Sequence, residues 1–142
     1  MKIIMSDNRY IKKTLSYCSA PICVKFENGK NFPSDDWSDF LIVIITEWLR
    51  TVLENENKNL ADFRLSFMEG PYEILCSKNM DVVSIITLTA YKTTAIEEHL
   101  KFSDLKNAVI EAANALISEA NAIEYRAEEL KQLEELMQTI RQ

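Results

Sequence analysis

The stretch that most constrains the fold is residues 32–53, FPSDDWSDFLIVIITEWLRTVL. Its two tryptophans stand eleven positions apart, and Trp37, Leu41, Ile44, Trp48 and Val52 fall on one helical stripe. Phe40, Ile45, Leu49 and Leu53 widen that stripe until only Asp39, Thr46, Glu47, Arg50 and Glu54 remain as a polar strip. A helix so apolar must be covered on more than one side. Ser34 stands where an N-cap is wanted, and Asp35 and Asp36 would occupy the first turn, where negative charge complements the positive helix end. The expectation is a central core helix that begins at Ser34.

The flanking segments read as strands. Ile22, Val24 and Phe26 alternate with Cys23 and Lys25, a period-two pattern. Asn28-Gly29 then marks a tight turn, because both positions tolerate positive φ, and Asn31 and Phe32 return briefly before Pro33 stops the pattern. Ile3, Ile4 and Met5 fit a short strand, while Tyr10 to Cys18 fits either a helical turn or a second extended piece. After the polar exit Glu54–Asn59, Phe63, Leu65 and Phe67 alternate, Glu69-Gly70-Pro71 turns, and Tyr72–Cys76 returns. Val82–Tyr91 is rich in β-branched residues and completes a three-strand meander. Residues 92–102, with His99, read as a connection. The class is therefore α+β: an antiparallel sheet of about four to five strands, joined by the Ile22–Phe26 hairpin, packed on the central helix and on a long C-terminal helix.

From Asp104 onward the chain has no glycine or proline, and Ser103 is placed to cap. Val109, Leu116, Ile123, Leu130 and Met137 recur every seven residues, with Ala113, Ala120 and Ala127 between them. Large residues at one seam position and alanines at the other allow close helix approach. Unbroken, this helix would have about 38 residues and a length of roughly 57 Å. A compact domain of this size has a radius of gyration of only about 14–15 Å. The helix must break, project or pack on a second chain. A break at Ser118–Asn121 has no turn residue to support it, so one long helix is the expectation. Its seam of Ala113, Leu116, Ala120, Ile123, Ala127 and Leu130 would serve intramolecular packing or a homodimer equally well. The 142 residues form one domain, a body of residues 1–102 and a helical segment of residues 103–142.

Charge is distributed unevenly. The net charge is −6, yet residues 1–31 hold six basic groups (Lys2, Arg9, Lys12, Lys13, Lys25, Lys30) against Asp7 and Glu27. The remainder holds 10 basic and 20 acidic groups. Such a body repels phosphate backbones and favours basic partners, which argues against nucleic acid despite Arg9, Tyr10, Lys12, Lys13 and Tyr17. Three cysteines (Cys18, Cys23, Cys76) without a CxxC pair point to buried thiols in a reducing compartment. The longest apolar run, Phe40–Ile45, is far below the roughly 20 residues of a membrane span. A cytoplasmic protein without membrane contact is expected. Two glycines build no phosphate cradle, and no HExxH or GxSxG motif is present. One histidine offers little metal chemistry. No cofactor, metal or catalytic residue is expected. Asp35, Asp36 and Asp39 are the densest carboxylates, read as an acidic helix start or, alternatively, an acid–base pair.

Taken together, Trp37, Asp39, Phe40, Trp48 and Leu49, followed by Phe67-Met68-Glu69-Gly70-Pro71-Tyr72, resemble small bacterial immunity proteins of polymorphic and contact-dependent toxin systems. The resemblance covers residues 22–77. Glu69 stands where that pattern has Asp before Gly-Pro, and the second tryptophan often found near Trp48 is missing. The resemblance implies a non-enzymatic inhibitor that binds a cognate toxin with a basic surface. The partner-binding expectation is Asp35, Asp36, Trp37, Asp39, Glu69, Tyr72 and Glu73. The alternative is an assembly module that dimerises through the C-terminal seam.

Overall fold

A computed structural model describes residues 1–5, 19–90 and 92–141, with the side chains of 92–96 and 141 excepted. The readings placed on Arg9, Tyr10, Lys12, Lys13, Tyr17 and Cys18 lie outside the described residues. The molecule is α+β, with two four-stranded antiparallel sheets and three helices.

The first sheet contains β1 (Lys2–Met5), β2 (Ser19–Lys25), β3 (Asn31–Phe32) and β4 (Ser38–Phe40). β2 pairs with the other three. The chain turns at Asn28-Gly29, but only Gly29 of the two takes positive φ, and Phe26 and Lys30 close the loop. Gly29 has φ +82°, and its N–H donates to the Phe26 carbonyl at 2.9 Å. The second sheet is a meander of β5 (Leu60–Ser66), β6 (Tyr72–Asn79), β7 (Val82–Thr89) and β8 (Lys92–Lys101).

Three sequence expectations change here. The hairpin of Ile22–Phe26 belongs to its own sheet and does not extend the meander. Residues 92–101, read as a connection, are a ten-residue strand paired with β7. Between Glu97 and Lys101 only Leu100 is apolar, so alternation there is nearly silent, and the ladder with β7 supplies the conformation. The central helix, α1 (Leu41–Asn55), starts seven residues after Ser34. Residues 38–40 are taken instead by β4, whose Asp39 pairs with Ala20. An inter-strand ladder outcompetes the helix start that local propensity favours. Phe40 becomes the N-cap without a side-chain cap, and Asp35 and Asp36 lie in the preceding turn.

α1 is buried as its composition demands. Leu41, Ile42, Ile44, Ile45, Trp48, Leu49 and Val52 are all at most 2% exposed. The buried hydroxyl of Thr46 donates to the Ile42 carbonyl at 2.6 Å, which removes the penalty of an unpaired polar group. α1 packs on α2 (Phe102–Ala122), α3 (Glu128–Arg141), β5 and the first sheet. Edge-to-face rings join the layers, with Phe63 and Phe102 at 6.5 Å and Trp48 and Phe67 at 5.2 Å.

The expected long C-terminal helix is two helices that form a hairpin. The Tyr125 N–H donates to the Ala120 carbonyl at 2.8 Å, the Glu124 N–H reaches the Asn121 carbonyl at 3.1 Å, and Glu124 has φ +58°. This is a Schellman termination with glutamate in the left-handed position usually given to glycine. Tyr125, fully buried, anchors the reversal from inside the core. The heptad seam is spent within the chain: Ala113, Leu116, Ala120 and Leu130 are at most 1% exposed, and Ile123 and Ala127 are partly buried at the reversal. A homodimer through this seam would require the hairpin to open. Ala120→Glu, which places a carboxylate in that packing, is expected to lower the unfolding free energy by about 3 kcal/mol or more in urea denaturation. An open dimer seam would instead give a change in sedimentation with little loss of stability.

Candidate functional site

The two sequence blocks that carry the resemblance meet in space around one carboxylate. Asp39 is 0% exposed, and its side chain accepts four N–H donors. Oδ1 takes the Phe40 amide at 2.8 Å. Oδ2 takes the Trp37 indole at 3.1 Å and the amides of Met68 and Glu69 at 3.0 and 3.1 Å. A buried carboxylate is tolerable only when its lone pairs are filled in this way. Asp39 thereby ties the strand before α1 to the turn between β5 and β6.

The turn is shaped by aromatic packing. Trp37 and Tyr72 meet edge-on at 4.8 Å and 78°. Phe32 continues the series to Tyr72 at 5.8 Å and to Phe67 at 5.9 Å, and Phe67 passes it to Trp48. Gly70 lies against the first pair, where a Cβ would stand 2.8 Å from both the Trp37 and Tyr72 rings. That close approach is why glycine occupies the position. On the other side of Phe67, the Trp48 indole donates to the Ser66 carbonyl at 2.9 Å, which fixes the end of β5 to α1.

The expected partner residues separate into three groups. Asp35, Asp36 and Glu69 are exposed, with no cation within ion-pair distance among the described residues. Asp36 accepts from the Ser34 hydroxyl at 2.7 Å, which holds the turn. Trp37 and Tyr72 are half-buried. Asp39 is a correction: its charge faces the interior and is consumed by the framework, so it is not a surface group. Glu73 is also partly withdrawn, because it pairs with Arg64 at 2.8 Å and its side chain is 19% exposed.

Met68 and Pro71, which carry the resemblance but stand outside the expected partner residues, are both exposed in the same turn. Met68, at 53% exposure, follows Phe63, Leu65 and Phe67 one position out of phase. That break in alternation was the available signal. Elsewhere, His99 shares a 2.9 Å hydrogen bond with Ser84 on the exposed face of the second sheet. Among the described residues no three His, Cys, Asp or Glu side chains converge as metal ligands. No described helix is long and apolar enough to cross a membrane.

Two thiols lie in the interior. Burial pushes the Cys76 thiol up to about 12. Burial also raises Cys23, helped by the negative charge of Asp35 and opposed by Lys25. Neither is suited to nucleophilic work, which needs a thiolate.

Comparisons with protein-family models, curated proteins and solved structures find no match to this chain.

Three variants test this geometry and the buried thiol. Asp39→Ala strands four buried or half-buried donors and should cost at least about 3 kcal/mol in urea unfolding, whereas Gly70→Ala should displace the Trp37 ring and change its fluorescence. The Cys76 thiol contributes fully while both states keep their proton, below about pH 9, the ordinary thiol value. Between that pH and about 12 the unfolded chain loses its proton while the native state retains it, so stability falls. Cys76→Val should flatten this alkaline decline, as measured by denaturation midpoints across the pH series.

Proposed function

We propose that this chain is a non-enzymatic inhibitor of the immunity-protein kind, which binds a toxin in the cytoplasm of the producing cell through its acidic turn surface. The observation that carries this reading is the arrangement around Asp39. Asp35, Asp36 and Glu69, exposed and outside any ion pair among the described residues, lie in the two turns that carry the half-buried Trp37 and Tyr72 and the exposed Met68. Each is held on a framework of hydrogen bonds and packed rings, so little conformational freedom is lost on binding. Aromatic rings and methionine supply contact area, and the carboxylates steer a basic partner. A toxin that acts on nucleic acid has a basic cleft, and an acidic surface of this kind competes with phosphate for it.

The resemblance of residues 22–77 to immunity proteins supports the same reading. So does the internal consumption of the C-terminal seam, which leaves the acidic turn as the more accessible contact surface of the two considered.

The test is coexpression of this chain with the product of the reading frame that adjoins its own. Rescue of growth, together with a stable complex whose association slows as salt rises, is the expected result. Toxicity without rescue, or an absence of complex between the purified proteins, overturns the reading. Asp35→Lys/Asp36→Lys should weaken the complex by about tenfold or more, with no more than the small loss of stability expected from one exposed hydrogen bond to Ser34. An affinity unchanged by that double substitution removes this surface from the interface.

A further inference from the structure

Beside the acidic turn, a cleft of about 240 Å³ opens between α1 and the end of β5. Val43 and Thr51 of the helix face Ser66 and Met68 across it, and Trp48 and Phe67 form its floor. The space exists because Thr51 and Ser66 are short, while the Trp48–Ser66 hydrogen bond holds helix and strand at a set distance. The two charged pairs at its mouth, Glu47 with Arg50 and Arg64 with Glu73, are each internally neutralised. Among the described residues, Glu69, next to Met68 in the chain, and Asp35 and Asp36 of the turn that carries Trp37 are exposed and outside any ion pair.

We propose that this cleft is an anchor pocket for one aliphatic or aromatic side chain of a protein partner, on a segment whose neighbouring lysine or arginine side chains meet Glu69, Asp35 and Asp36. The assignment rests on the inhibitor reading above and adds to it the chemistry of the contacting segment. The size argues for a single side chain, since small-molecule pockets run from about 300 to 1,000 Å³. Val43, Phe67 and Met68 offer an inserted apolar group hydrocarbon, ring and sulfur surface, while Glu47, Thr51, Arg64 and Ser66 contribute the polar part of the lining. Met68 joins the two parts: it lines the cleft, stands 53% exposed, and has the flexible thioether that adapts to an inserted group. Charge complementarity fixes the rest of the segment, as the three carboxylates have no cationic partner among the described residues. An apolar anchor in a pocket, ringed by steering charge, is the arrangement in which a few residues supply most of the binding energy.

The experiment titrates the purified product of the adjoining reading frame into this chain by calorimetry at several salt concentrations. Thr51→Phe and Ser66→Trp fill the cleft without touching a carboxylate. Ser66 is exposed, so its variant retains the fold if Thr51→Phe does not, as checked by circular dichroism and urea unfolding. Both folded variants should bind about tenfold or more weakly with the wild-type salt dependence, whereas Asp35→Lys/Asp36→Lys should also flatten that dependence. Glu111→Lys/Glu135→Lys, the same charge change elsewhere, should bind as the wild type does. Cleft-filled variants that bind normally overturn the pocket while the inhibitor reading stands. A wild-type chain that fails to bind the toxin overturns both.

Discussion

Four N–H groups converge on the carboxylate of Asp39, and much of the molecule depends on that convergence. A buried charge costs several kcal/mol unless it is compensated, and here the compensation comes from three separate segments. The Phe40 amide belongs to the entry of α1, the indole to the turn before it, and the Met68 and Glu69 amides to the turn between β5 and β6. Among the described residues the two sheets share no ladder, and this carboxylate and the adjoining series of edge-to-face rings join them at this end.

α1 performs the corresponding task on the apolar side. It meets α2, α3, β5 and the first sheet, and its nearly complete burial requires all of them. The C-terminal hairpin follows from the same need. One straight helix would present its heptad seam along a line longer than the core, and most of that seam would be left in water. Reversal at Glu124 folds the second half back, so that Leu130, Leu133 and Met137 are buried in the same core as Val109, Leu116 and Ala120. The left-handed glutamate costs some conformational energy, which the burial of Tyr125 and its neighbours offsets.

This division of labour shapes the surface. Asp39 is unavailable to a partner because its charge is used internally, yet it sets the positions of groups that are available. Trp37 and Tyr72 are half-buried aromatic supports, and Gly70 permits their close contact. The exposed carboxylates stand on a rigid base, and the short side chains of Thr51 and Ser66 leave open space beside them. The residues that hold the frame and the residues exposed beside it are therefore largely different residues.

Much of this was legible in the chain itself. Period-two alternation marked β2 and β5, the Glu69-Gly70-Pro71 turn and β-branched content marked β6 and β7, Asn28-Gly29 marked its turn, and the circumference of residues 41–53 announced a helix buried on several sides. These features are local, because side-chain periodicity and backbone preference act within a few residues. What only the tertiary structure decided was competition between segments. The ladder from Ala20 drew residues 38–40 out of the helix that Ser34 would have capped. β7 made a strand of residues 92–101, whose own alternation is faint. A Schellman turn without glycine split the last helix, since a buried tyrosine, distant in effect from its neighbours in sequence, rewarded the reversal. The same limit governs the site. Composition identified Asp35, Asp36 and Asp39 as one acidic group, but the charge of a carboxylate is outward or inward according to which donors the fold brings to it. Sequence determined that the carboxylates were there; packing determined that Asp39 would hold the frame and its neighbours would face solvent.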